Sequence, residues 1–135
     1  MTSHKYIQIN SSDRTDGSAT NFRVEIPYGI RIKEASLLSV LIPDVITSLI
    51  LPQFLNITIS SLENGVISSN TNVSTFCVPY VPNELLFFTT DMYPQIMEIP
   101  NGVYVQQFYV ALTDRDGLPV TFSSGNWSLL LEVKY

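Results

Sequence analysis

The chain has 135 residues and a net charge of −5, which is length enough for one hydrophobic core but not two, so a single domain over residues 1–135 is expected. Charged residues make up 14% of it, against roughly 25% in a typical globular protein; Ser, Thr and Asn replace them, and such a surface is more readily buried against a partner than one covered in Lys and Glu. Residues 1–34 hold five Lys/Arg against four Asp/Glu and the remainder two against eight, with Arg115 and Lys134 isolated, a distribution that argues against a nucleic-acid surface.

From the start of the chain, "MTSHKYIQIN" has no apolar h-region, so it is not read as a secretory signal, and synthesis in the cytoplasm is expected. "SSDRTDGSAT" (Ser11 to Thr20) reads as a flexible loop, and residues 1–20 as an N-terminal arm. No window carries helical periodicity, whereas alternation with period two recurs from end to end, so the chain is predicted to be all-β. In "NFRVEIP", Phe22, Val24 and Ile26 share one face and Arg23 and Glu25 the other. Further strands are predicted at "ASLLSVLI" (Ala35 to Ile42), "FLNITISSL" (Phe54 to Leu62), "VSTFCV" (Val73 to Val78), "ELLFFTT" (Glu84 to Thr90), "QIMEI" (Gln95 to Ile99) and "VYVQQFYVALT" (Val103 to Thr113). The last, "WSLLLEVKY", puts Trp127, Leu129, Leu131, Val133 and Tyr135 on one face and Ser128, Glu132 and Lys134 on the other, where only the apolar Leu130 is out of place. Strands this short, punctuated by turns, define a sandwich or barrel.

The turns carry their own chemistry. Asn-Gly occurs in "ENG" (Glu63 to Gly65) and "PNG" (Pro100 to Gly102), and each is read as a hairpin. In "VALTDRDGLP" (Val110 to Pro119), Asp114 and Asp116 offer carboxylates of the kind that hold calcium or magnesium. Strand-forming residues flank them on both sides, however, so the segment reads as a hairpin tip in which Asp bonds its own backbone.

Two segments are apolar on both faces: Leu37, Leu38, Val40, Leu41 and Ile42, and Leu85, Leu86, Phe87 and Phe88. Such strands are covered on both sides or meet another subunit. "VITSLILP" reads as a loop yet is rich in apolar residues. The interface candidates are therefore Val45, Ile46, Leu49, Ile50, Leu51, Phe87 and Phe88. Pro43 and Asp44 interrupt the longest apolar stretch, leaving neither part long enough to span a bilayer.

Catalytic readings find little support. His4 is the only histidine, which removes triads and multi-histidine metal sites from within the chain. Cys77, the single cysteine, excludes an intramolecular disulfide and reads as a buried thiol within "TFCVPYV". The carboxylates Glu25, Glu84, Asp91, Glu98 and Glu132 mostly alternate with apolar residues and so face outward rather than forming a hydrolytic pair. Six glycines stand singly, with no phosphate loop. No cofactor and no enzymatic activity are expected. Tyr28, Tyr80, Tyr93, Tyr104 and Tyr109 lie near strand ends, where an interface anchor and a sugar-stacking platform look alike.

The order "INSSDR" (Ile9 to Arg14), "NFRVEIP" (Asn21 to Pro27), "SLLSVLIPDVI" (Ser36 to Ile46), "EIPNGVY" (Glu98 to Tyr104) and "VALTDRDGLPVTFSSGNWSLLLEVKY" resembles the single jelly-roll penton and minor capsid proteins of virophages, polinton-like viruses and large eukaryotic DNA viruses with double jelly-roll major capsids. The resemblance covers both ends and thins between residues 50 and 95. Its most specific parts are the opening Asn-Ser-x-x-Arg element and the closing Asp-x-x-Gly turn before a Trp-led last strand. It departs from that family after Pro43, where Asp44, Val45 and Ile46 stand in place of an Asn and a Tyr, and in the short region after "NGVY". The resemblance implies a jelly roll of about eight antiparallel strands in a virion structural protein. It further implies a homopentameric vertex protein meeting the major capsid protein and other capsid proteins, located in the virion and made in the host cytoplasm. Another minor capsid role, or a carbohydrate-binding or receptor-attachment sandwich, is the alternative.

Overall fold

The computed structural model describes residues 3–43, 45–46, 53–60, 62, 75–80, 86–89, 95–114, 117–122 and 125–135. Its elements in chain order are β1 (His4–Asn10), a 3-10 turn (Ser11–Asp13), β2 (Asp16–Ser18), β3 (Asn21–Ile42), β4 (Val45–Ile46) and β5 (Gln53–Ile59), then β6 (Thr75–Tyr80), β7 (Leu86–Thr89), β8 (Gln95–Thr113), β9 (Thr121–Phe122) and β10 (Ser128–Lys134). Every ladder is antiparallel. The predicted all-β class is what the backbone adopts.

Two strands are long enough to serve twice. β3 has 22 residues and β8 has 19, and they pair with each other along most of their length. The later part of β3 sits between β10 and the start of β8, giving a layer in the order β1, β10, β3, β8. The earlier part of β3 pairs with the later part of β8, which continues through β5 to β6 as a second layer. Two four-stranded layers linked in this order form a single jelly roll. β7 extends the β8 edge of the first layer, with Leu41 opposite Phe87 and Val40 opposite Phe88.

The crossing between layers explains two register breaks. Residues 26–29 of β3 lie against one residue of β8 between the pairs Glu25–Gln107 and Ile30–Val105; residues 99–102 of β8 lie against one residue of β3 between Ile32–Val103 and Glu34–Glu98. Each strand takes the longer path at one bend, and these irregularities of four residues against one re-aim both chains from one layer to the other. "PNG" is therefore a corner within β8, not a hairpin. Its local chemistry holds, since Gly102 has φ +72, but the segments before and after it both pair with β3 rather than with each other. "ENG" lies outside the described residues.

A second irregularity accounts for most of the apolar excess in "LLSVLI". Leu131 of β10 faces Leu37 and Leu130 faces Ser39, so Leu38 is an inserted residue. The inward phase changes there, with Ala35 and Leu37 buried before it and Val40 and Ile42 after it. Without the insertion Val40 and Ile42 would turn outward, each losing burial that contributes about 1.5–3 kcal/mol for such a side chain. Leu38 is half-buried, and only Leu41 is left exposed. Leu130 lies on the outer face of β10 with Ser128, Glu132 and Lys134, an apolar side chain among polar ones as the alternation indicates.

Inward residues of both layers form one core, including Ile32, Leu37, Leu55, Ile57, Phe108 and Leu131. Trp127 closes one end of it. Its ring meets Phe22 edge to face, with centroids 5.8 Å apart, and its indole N–H donates to the Ala19 carbonyl at 2.6 Å. The segment predicted as a loop and arm contributes β1, the 3-10 turn and β2, and Ser11 within it is fully buried.

Candidate interaction surface

The candidates named from sequence fall in three places. Val45 and Ile46 form β4 and pair with Phe122 and Thr121 of β9, which ties the segment after β3 to the segment before β10. Phe87 and Phe88 lie in β7 beside β3. The side chains of these four, and Leu49, Ile50 and Leu51 altogether, lie outside the described residues.

The described exposed apolar side chains lie elsewhere, among them Leu118 in the turn after Gly117 and Tyr135, which alternation places on the core face. On the outer face of the first layer are Tyr6, Leu41 and Ile96; on that of the second, Phe54 and Tyr109; at the crossing corner, Tyr28 and Tyr104. The Tyr104 ring lies over Gly29, where any Cβ would overlap it. A cleft of about 330 Å³ opens between β1 and the β3 corner, lined by Lys5, Tyr6, Ile7, Glu25, Ile26, Pro27, Tyr28 and neighbouring residues. Lys5 Nζ stands 5.9 Å from the centre of the Tyr28 ring, a cation–π distance.

Two ion-pair contacts lie on these faces among the described residues. On the outer face of the first layer Lys134 Nζ is 3.0 Å from Glu34 Oε2, and His4 Nδ1 is 2.8 Å from Glu132 Oε1. The hydrogen bond and charge of Glu34 hold the Lys134 ammonium above its ordinary pKa. On the second layer the hydrogen bond with Tyr109 raises Arg23. Among the described residues no group of three His, Cys, Asp or Glu side chains is placed to hold a metal ion. Glu25 and Glu98 are exposed and Glu132 is half-buried, while Glu84 and Asp91 lie outside the described residues.

The hairpin reading of "TDRDG" is realised in its described part. Thr113 bridges Pro119, Asp114 N–H donates to the Leu118 carbonyl at 2.9 Å, and Leu118 N–H donates to Asp114 Oδ1 at 3.0 Å. Gly117 takes φ +81 to close the turn. The Asp114 carboxylate thus serves the backbone, as Asp does in such turns; Asp116 lies outside the described residues.

Cys77 corrects an expectation. It is exposed, not buried, because Phe76 and Val78 take the inward positions of β6. Its thiol donates to Asn56 Oδ1 at 3.2 Å. The Gln95 carboxamide accepts from Cys77 N–H at 2.8 Å and donates to the Cys77 carbonyl, occupying the edge of β6 as a neighbouring peptide would.

Sequence reasoning missed one tie, that of Ser11 with Asn126 and Arg14. Ser11 Oγ donates to Asn126 Oδ1 at 2.9 Å and accepts from Trp127 N–H at 3.0 Å, while Arg14 Nη1 donates to the Ser11 carbonyl at 2.7 Å and to Asn126 Oδ1 at 3.1 Å. Its signal was the Asn-Ser-x-x-Arg spacing, whose partner 115 residues away is visible only in the fold.

Fold and surface together define a β-sandwich of the jelly-roll class with exposed aromatic and aliphatic side chains on its outer faces. No protein-family model matches the chain, and no curated protein matches it. No helix of the described residues is long and apolar enough to cross a membrane.

Proposed function

We propose that this chain is a non-catalytic structural subunit of a virus particle, a penton protein that assembles as a homopentamer and meets the major capsid protein at a vertex. The observation that carries this reading is the outer face of the first layer. A solvent-facing sheet surface is normally polar, yet Tyr6, Leu41 and Ile96 stand exposed there with Leu130 beside them. Contact with further copies or coat proteins would remove that surface from water. The jelly roll is an architecture that viral capsid domains share with lectins, and the quoted sequence elements carry the resemblance to capsid proteins. A ring requires a heterologous contact, in which one lateral surface meets a different one on the neighbour. Light scattering coupled to size-exclusion chromatography tests the reading: a particle five times the 15.1 kDa of one copy supports it, and a monomer at every concentration overturns it.

A second reading has its own observation. Tyr6 and Tyr28 flank the cleft beside β1 and are both exposed, an arrangement that suits stacking on a sugar ring. A glycan array separates the two readings. Binding that disappears on Tyr28→Ala favours a carbohydrate-binding attachment module; silence across the array, together with a pentamer, favours the vertex.

A further inference from the structure

An edge strand leaves half of its backbone N–H and C=O groups without a ladder partner, and each layer of a sandwich has two edges. In the second layer both edges are attended: β2 pairs with β3 over residues 21–23, and the Gln95 carboxamide occupies the β6 edge at Cys77. In the first layer nothing among the described residues pairs with the outer side of β1 or of the β8 segment 95–98. The two open edges are opposite ends of one sheet.

Their phases follow from the register. Ser3 and Tyr135 exchange both backbone hydrogen bonds, and Ser11 N–H donates to the Trp127 carbonyl, so odd-numbered residues of β1 face β10. His4, Tyr6 and Gln8 therefore aim their backbone groups outward from the sheet edge. Carrying the alternation through Lys134–Glu34 and Ala35–Met97 leaves Ile96 and Glu98 aiming theirs outward from the opposite edge. Four antiparallel strands also make β1 and β8 run in opposite directions. A second copy set beside the first in the same orientation would thus continue the ladder antiparallel.

The side chains agree with this placement. One row across the outer face runs His4, Lys134, Glu34, Glu98, and the next runs Tyr6, Glu132, Ser36, Ile96. Continued at the same level, the rows place His4 opposite Glu98 of the second copy, and Tyr6 opposite Ile96. The first sets an imidazole, a hydrogen-bonding group, against a carboxylate. The second joins two of the exposed apolar side chains, 65% and 53% accessible, as an aromatic–aliphatic cross-strand pair. Glu98 has no ion pair among the described residues.

We infer that β1 of one copy adds to the β8 edge of the next, pairing His4 with Glu98 and Tyr6 with Ile96 through backbone hydrogen bonds, so that the first layers of neighbouring copies form one continuous sheet. This rests on the self-assembly proposed above and names its contact surface. The contact is heterologous, the kind that closes rings.

Proline distinguishes the edges, since Tyr6→Pro and Ile96→Pro each delete an outward-facing N–H that no internal ladder uses. Each variant alone is expected to be monomeric by light scattering, with the far-ultraviolet circular dichroism of the parent. Mixed in equal amounts they are expected to form a dimer of one copy each and nothing larger, because each retains the edge that the other lacks. Assembly of the parent that survives both substitutions overturns the edge pairing and leaves the vertex reading standing; a parent that never assembles overturns both. If Tyr6→Pro assembles poorly while Ile96→Pro assembles normally, the pairing is β1 to β1 and the inference is wrong. Should either proline variant fail to fold, hydrogen exchange on the parent decides. The Tyr6 and Ile96 amides are expected to slow by about tenfold or more on assembly, and unchanged rates refute the pairing.

Discussion

Replacing Ser11 with Ala isolates the energy of a single buried hydroxyl. Ser11 has no accessible surface, and its Oγ is the acceptor for the main-chain N–H of Trp127, itself buried. Ala keeps the volume nearly unchanged but strands that N–H away from water, which costs about 1–3 kcal/mol. At this chain length each kcal/mol lowers Tm by about 3–5 °C, so a loss of about 2 kcal/mol corresponds to about 6–10 °C. Asn126→Ala is the control. It removes the acceptor on the other side of the same hydroxyl, but Asn126 is exposed and water replaces its carboxamide oxygen, so the cost stays below about 1 kcal/mol. Thermal unfolding of the three proteins under one buffer measures both. A Ser11→Ala protein as stable as the parent, or losses of equal size in the two variants, would refute the argument that burial of the Trp127 amide sets the cost.

The glycines with positive φ separate strain from collision: Gly117→Ala, with open space around it, is expected to cost about 1–2 kcal/mol, whereas Gly17→Ala, whose Cβ would overlap the Asn21 carbonyl oxygen, is expected to cost more; equal midpoints in urea would contradict this. Lys134 has a folded pKa raised by Glu34, so its contribution is fully present below the ordinary value of 10.5 and is lost as pH rises through the folded one. The parent is therefore expected to lose stability on alkalinisation in that window more steeply than Glu34→Gln, and parallel pH–stability curves would count against the pair. Cys77 is exposed in the native fold, so a disulfide reagent is expected to titrate one thiol without denaturant, and labelling that requires unfolding would place it inside.

Much of the fold was legible from alternation alone. Phe22 and Val24, and Leu129, Leu131 and Val133, point inward as period two requires, because a strand with one face on a core has only one way to place its apolar side chains. Turn chemistry was legible as well, in Asp114 and in Gly117. What local pattern could not supply was which strands are neighbours. "PNG" reads as a hairpin because Asn-Gly favours positive φ, yet the same backbone geometry also serves a corner between layers. "LLSVLI" reads as a two-faced strand because an inserted residue is invisible until a partner's register is laid beside it. Cys77 was placed inside by its apolar neighbours, although Phe76 and Val78 claim the inward phase and leave it the outward one.

The candidate surface divides in the same way. Composition and charge already pointed to a protein whose faces are easily covered, since few Lys and Glu stand in the way of burial. The chain by itself determined the class of fold, the inward residues of most strands, and the poverty of groups for histidine-based catalysis or metal binding. Tertiary pairing alone decided that β1 and β8 end the same layer with matching backbone phases, that Ser11 meets Trp127, and that Tyr6 and Ile96 share a face. The reason is physical: alternation is a property of one strand and its core, whereas an edge, a row and a register exist only once four strands have chosen their neighbours.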